Sequence, residues 1–348
     1  MTSAFRTSLF GIALLVASTV SAHQGPERLA SLSIQPADPL QSNEFEREEE
    51  RLQRAIEMDR RENNLAAAFD HHVMLGKLRE RKGLFTDAGN AYTEALDLTD
   101  ELQTGAGAVA DVLSSLGTVR LMQNMDVEAE KILNRALSLR KAAAHSLPRL
   151  RDLAVLSMAQ NRQGHFDAAR KSAQQVVDLY DKHNFEDDGT LDLAHRVLGQ
   201  VDHAQKNYAQ ALKHFQVARD IEENIKASPQ VQLLTRFAVA LMFYEQQNLV
   251  LARNELKGLE AQVGRSPAIE DQVLLVALRA TTARNLGRPE EASQGLRWVS
   301  WICTDQDDFT LRKSCRLAED FGWMLTAPHK VQPSSDLWLQ RVSISPLY

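Results

Sequence analysis

From about residue 43 to residue 300, apolar side chains recur three and four positions apart, the spacing that gives a helix one buried face. Ala129, Ile132, Leu133, Ala136 and Leu137 form one such stripe, and Ala88, Ala91, Tyr92, Ala95 and Leu96 form another of the same shape. The stripes belong to a longer pattern. Leu75-Gly76 is followed by Gly83, Phe85, Ala88, Tyr92 and Ala95; Leu116-Gly117 by Ala129, Leu133 and Ala136; Leu156-Ser157 by Gly164, Phe166, Ala169, Ala173 and Val176. Leu198-Gly199 precedes Tyr208, Ala211, Phe215 and Ala218, and fainter copies start at Val239-Ala240 and at Ala280. The small residue stands at 76, 117, 157, 199, 240 and 280, steps of 41, 40, 42, 41 and 40. Each unit predicts two antiparallel helices joined by a short turn. Small residues fall where helix backbones must approach closely, and Phe85, Phe166 and Tyr208 fill space beside the turns. No hairpin of this kind buries its faces alone, so stacking is required and the expected fold is all-α, a curved α-solenoid.

The order of a Leu-Gly pair, a small residue before an aromatic, and then spaced Ala, aromatic and Ala resembles the tetratricopeptide repeat. Units one and four match best, and the resemblance covers residues 68–300 as five to six units. The period is near 41 rather than 34, similar to long-helix variants of that family, and the Trp of the signature is missing throughout. The resemblance implies that the first helix of each hairpin lines a concave groove for a protein or peptide partner. Matching positions are Val73, Lys77 and Glu80; Ser114, Thr118 and Leu121; Val155, Met158 and Asn161; Arg196, Gln200 and His203; and Phe237, Leu241 and Tyr244. Within this set and the adjacent Arg162, the expected contacts are Lys77, Asn161, Arg162, Arg196, Gln200, His203, Phe237 and Tyr244. Arg162 and Arg196 would act as bidentate donors to a carboxylate, while Phe237 and Tyr244 take apolar side chains. The Lys and Asn clamp of the chaperone-binding subfamily is not matched, because its first-repeat positions hold Val73 and Lys77.

The flanks read differently. Arg6, the apolar run Leu9 to Ala17 and the small or compact residues Val20-Ser21-Ala22 predict a secretory signal peptide over 1–22, hence a periplasmic or extracellular protein. Its apolar stretch is shorter than the roughly 20 residues that span a bilayer. Residues 23–42, with Pro26, Pro36 and Pro39, predict a flexible linker, and 43–67 a charged capping helix with Phe45, Leu52, Ile56 and Met58, a polar outer lid for the first repeat. Residues 301–348 are expected to form a C-terminal helical cap and tail, with Leu337, Trp338 and Leu339 packed over the last helix face. Cys303 and Cys315, the chain's two cysteines, are expected to form a disulfide that staples this cap in an oxidising compartment.

A net charge of −6 does not suit a general nucleic-acid binder. The ten histidines include no His-Glu-x-x-His, and neighbours such as His71 and His72 point about 100° apart on a helix, so no metal or other cofactor is expected. Gly-x-Ser-x-Gly, phosphate-loop and Gly-x-Gly-x-x-Gly motifs are likewise missing, and the expectation is a scaffold or adaptor rather than an enzyme. It would serve an envelope assembly, export or sensing system, with homo-oligomerisation possible. Two alternatives stand beside it: an enzyme or carbohydrate-handling subunit with its site in the groove, and a repeat protein that self-assembles through its ends.

Overall fold

In a computed structural model of the chain, the residues described are 42–183, 185–186, 188–263, 269–303, 315 and 318. The expected signal peptide, nearly all of the linker, and the tail with Trp338 lie outside them. Thirteen helices are present among the described residues: α1 Ser42–Glu62, α2 Leu65–Arg81, α3 Phe85–Asp97, α4 Ala106–Met122, α5 Asp126–Leu139, α6 Leu147–Arg162, α7 Phe166–His183, α8 Thr190–Ala204, α9 Tyr208–Asn224, α10 Pro229–Glu245, α11 Leu249–Val263, α12 Ile269–Asn285 and α13 Pro289–Ile302. One further helical turn, Thr99–Leu102, and a 3-10 turn, Lys141–Ala143, lie in connections. No strand occurs among the described residues, and the fold is an α-solenoid of helix hairpins. Cα packing separates two compact units, one ending at Val201 and the other beginning at Asp202, within α8.

In the first unit α1 packs on α2, and the hairpins α2/α3, α4/α5 and α6/α7 follow, each second helix also packing on the next first helix. The periodic small residues are the contact points within the hairpins. A Cβ added at Gly76 would lie 2.5 Å from Tyr92 Cε1, and one at Gly117 would lie 2.8 Å from Leu133 Cγ. Sixteen residues separate the members of each pair. Tyr92 and Leu133 are both fully buried. Each glycine thus makes room for a large side chain of the facing helix, as a close-packed interior demands. The Tyr92 hydroxyl donates back to Glu80 Oε2 on α2 at 2.7 Å.

The second unit repeats the arrangement in α10/α11 and α12/α13, with α9 packed on α10. Ala240 and Leu256 are fully buried, and a Cβ on Gly295 would meet Ala280 Cβ at 2.8 Å. Here Phe215, Leu241, Met242, Leu256, Val273 and Leu278 form a continuous core that ends against Val299, Ile302 and Cys315. Cys303 and Cys315 are joined by a disulfide, with their Cα atoms 5.7 Å apart.

All six hairpin turns use one backbone device. Gly83, Asn124, Gly164, Lys206, Gln247 and Gly287, each seven residues after the small position, adopt positive φ between 60° and 80°. Such a left-handed residue ends a helix with an αL cap, and it is present in units five and six despite their faint sequence signature. One residue earlier, a glutamine often reaches the hairpin before it. Gln123 Nε2 donates to Thr86 Oγ1 (3.3 Å), Gln163 Nε2 to Glu130 Oε2 (2.7 Å), and in the second unit Gln246 Nε2 to the Tyr208 carbonyl (3.4 Å).

The connections opposite these turns hold ion clusters. Arg140, at the end of α5, donates to Asp152 on α6 (2.9 Å) and to Asp111 (2.6 Å) and Ser114 (3.1 Å) on α4. Asp188 accepts from Arg151 Nε and Nη2 (2.9 and 2.6 Å), the Tyr180 hydroxyl (2.8 Å) and the Thr190 amide (3.1 Å). Burial alone would raise the Asp188 pKa, but the bonds from Thr190, Arg151 and Tyr180 outweigh it and hold the carboxyl below its ordinary range.

Two outcomes are expected. Gly117→Ala should destabilise the protein by about 1–3 kcal/mol through overpacking against Leu133. In a Leu133→Ala background that cost should shrink by about 1 kcal/mol or more, so a urea double-mutant cycle showing strict additivity would refute the Leu133 contact as its cause. Asp188→Asn should cost about 2 kcal/mol near neutral pH, a value reduced for the partial exposure of Arg151. A carboxyl with a depressed folded pKa stabilises above its unfolded value near 3.9 and loses that effect as pH falls through the folded one. The gap between wild type and variant should therefore narrow below about pH 4 in denaturant titrations run across pH.

Candidate functional site

The first helices of successive hairpins touch one another: α2 and α4, then α4 and α6, in the first unit, and α10 and α12 in the second. Each unit therefore presents a face built from first helices, and the sequence-derived positions can be located on it one by one.

In the first unit Lys77 is exposed, while Val73, Ser114, Thr118 and Met158 are half-buried and line the face of α2, α4 and α6. Leu121 and Val155 are core residues instead. Asn161 on α6 and Gln200 on α8 are brought together directly, Nδ2 donating to Oε1 at 2.6 Å, and both are buried. Their amides satisfy each other between neighbouring first helices, so they form a floor rather than a free recognition edge.

The two arginines expected to grip a carboxylate are committed inside the fold. Arg162 is turned away to the hairpin-turn edge, with Nε 3.0 Å from Asp126 Oδ1, Nη1 donating to the Leu121 carbonyl at 3.0 Å and Nη2 donating to Asn124. Only 4% of its side chain is exposed, and its partners all belong to the preceding hairpin. Arg196 lies on α8 with Nη2 3.0 Å and Nε 3.2 Å from Asp192 Oδ2, one helical turn away, and both side chains are buried. A buried guanidinium without its carboxylate would be costly, and the internal aspartates meet that need without an outside anion.

The second unit holds the remaining three positions. His203 is buried, and desolvation pushes its imidazole down to about 3, so it is neutral at neutral pH. Its ring lies 5.5 Å from that of Tyr208. Phe237 and Tyr244 are half-buried against the core, and the Tyr244 hydroxyl accepts from Asn285 Nδ2 at 3.2 Å. Leu241, between them, is fully buried.

Sequence reasoning missed Arg140, Arg151, Asp152 and Asp188, which carry the most densely bonded charges of the first unit. None of them recurs at the repeat period, so periodicity held no signal for them. The Gln123, Gln163 and Gln246 bonds were also missed, although their spacing follows the repeat. Among the described residues no cluster of three His, Cys, Asp or Glu is placed to hold a metal ion, and no helix is long and apolar enough to cross a membrane.

No protein-family model matches the chain, and no curated protein matches it in sequence. Solved structures do match in fold. The apo form of RapI superposes with a TM-score of 0.57 at 14% identity, over 78% of this chain and 82% of that one. The apo form of the quorum sensor NprR from B. thuringiensis gives 0.54 at 13% identity, over 73% and 82%. A Rap protein complexed with Competence and Sporulation Factor gives 0.51 at 12% identity, over 90% and 98%. At such identities the likeness speaks for the fold alone, an α-solenoid of helix hairpins, in keeping with the resemblance of its repeat to the tetratricopeptide pattern.

Proposed function

We propose that the protein is an exported scaffold that binds a protein or peptide partner on the first-helix faces of its hairpins. The observation that carries this reading is the lining of the first unit. Lys77, Thr118 and Met158 stay accessible on three successive first helices, above a floor held by the internal pairs Asn161–Gln200 and Arg196–Asp192. A preorganised floor lowers the ordering cost of binding, and a mixed apolar and polar lining suits a peptide segment better than a small charged metabolite. Phe237 and Tyr244 offer an equivalent aromatic contact in the second unit. In this proposal Lys77, Phe237 and Tyr244 touch the partner, whereas Asn161, Arg162, Arg196, Gln200 and His203 hold the surface in shape. The Rap protein of similar fold, solved in complex with Competence and Sporulation Factor, supports a binding role for such an array. Export rests on the N-terminal pattern of Arg6, the apolar run to Ala17 and Val20-Ser21-Ala22.

Site-specific photocrosslinking in cells tests the face. A crosslinkable residue at Thr118 should capture a discrete protein or peptide, as should one at Tyr244, and one at the exposed second-helix position Lys131 should not. Equal capture at Lys131, or none at either first-helix position, would remove the assignment. Export has its own readout: intact-mass analysis of the envelope or secreted fraction should find a chain beginning at His23, and a full-length chain confined to the cytosol would contradict it.

A further inference from the structure

On the first helices of the first unit, Asp70 and Asp111 are exposed, while Glu80 on α2, Asp152 on α6 and Asp192 on α8 are partly or wholly removed from water. Two of these shielded carboxylates are matched inside the fold. Asp152 lies 2.9 Å from Arg140, and Asp192 lies 3.0 Å from Arg196. Glu80, half-buried, forms no ion pair among the described residues.

The cations of the surrounding helices are engaged elsewhere or stand in solvent. Arg79 bonds Glu49 on α1 (2.8 Å) and the Asp87 carbonyl (3.3 Å), and Arg120 on α4 bonds Glu128 (3.0 Å) and Gln123 (2.8 Å). Lys82 lies over the Phe45 ring at 5.1 Å, and Lys77 and Arg81 are exposed. What Glu80 does have is one neutral donor. Its Oε2 accepts from the Tyr92 hydroxyl at 2.7 Å, and Ser115 on α4 bonds that same hydroxyl. The carboxyl is thereby held where α2 and α4 meet, on the face built from first helices. Its second oxygen, Oε1, has no partner among the described residues. Burial raises the Glu80 pKa, and the Tyr92 bond and the Lys77 charge offset this only in part. A carboxylate so placed has lost hydration without gaining an opposite charge, so an arriving cation stabilises it more than it would a fully hydrated one.

We propose that Glu80 sets the specificity of the first-unit face by taking a lysine or arginine side chain of the bound segment on Oε1. The inference rests on the first-helix face being the binding surface. Tyr92, fully buried and packed on Gly76, fixes the carboxyl before the partner arrives, which lowers the ordering cost. Lys77, one helical turn away, opposes a second cation beside the first. Val73, half-buried, and Met74, 45% exposed, lie on the same helix and offer apolar contact. The fitting segment is therefore a peptide with one isolated cation among apolar or acidic neighbours, rather than a polybasic run.

A displayed library of short random peptides, selected on the full chain carrying a photoreactive residue at Thr118, tests this, because peptides seated on the face are those that crosslink. They should share one Lys or Arg. Replacing that residue by Gln in the peptide, or Glu80→Gln in the protein, should each weaken binding about tenfold or more, and the two together little more than either alone. Glu80→Gln keeps an acceptor for Tyr92, and an unchanged denaturation midpoint would confirm that the variant folds; the shared cation and the peptide substitution are read on protein that retains Glu80. Crosslinking peptides with no shared cation, or losses that multiply, would overturn the assignment to Glu80 while leaving the face a binding surface. A shared carboxylate would give the contact to Lys77 and overturn it equally. Should no selected peptide crosslink at Thr118, the first-helix reading fails and this inference fails with it.

Discussion

The close approach of two helix backbones inside each hairpin is the constraint from which the remaining structure follows. Gly76 admits the ring of Tyr92, and Gly117 admits Leu133. A hairpin whose helices touch this tightly has a defined crossing, and that crossing sets the direction in which the next hairpin must stack. The left-handed residue seven positions on closes each turn at the same point, so the chain enters the second helix in a constant register. Because Tyr92 and Leu133 are fully buried, the tolerance for volume change at these contacts is small.

Once the hairpins are stacked, their polar groups must be satisfied between repeats. Gln123 and Gln163 tie a turn to the hairpin before it, and Arg140 joins the end of α5 to both α4 and α6. The same demand takes up Arg162, whose charge would otherwise be stranded at a buried turn edge. Binding capacity is then left to side chains that stacking does not consume. These are the accessible lining of the first helices.

The first-helix face is mixed, with internal ion pairs and amide pairs beneath it, and away from Glu80 it favours recognition through shape and hydrogen bonding over formal charge. A repeat array can carry such a face because neighbouring hairpins supply the stability, leaving outward positions of individual hairpins free to vary.

The hairpins, their period and the all-α fold could be read from the chain, because the same local requirement recurs every 40 to 42 residues and each recurrence reinforces the others. Even the faint fifth and sixth units were placed by spacing alone, and their turns close at Gln247 and Gly287 as the period requires. The Asp192–Arg196 pair was legible in principle, being one helical turn apart, yet a fold analogy assigned that arginine to a ligand. Only the tertiary structure decided the fate of Arg162, whose partner Asp126 lies 36 residues earlier in another hairpin, and of Asp188, which gathers Arg151, Tyr180 and Thr190 from three successive helices. Periodicity reports what every hairpin needs in order to close. The pairing of charges depends on which side chains the stack happens to bring within 3 Å, and that is a property of the assembled chain rather than of any repeat.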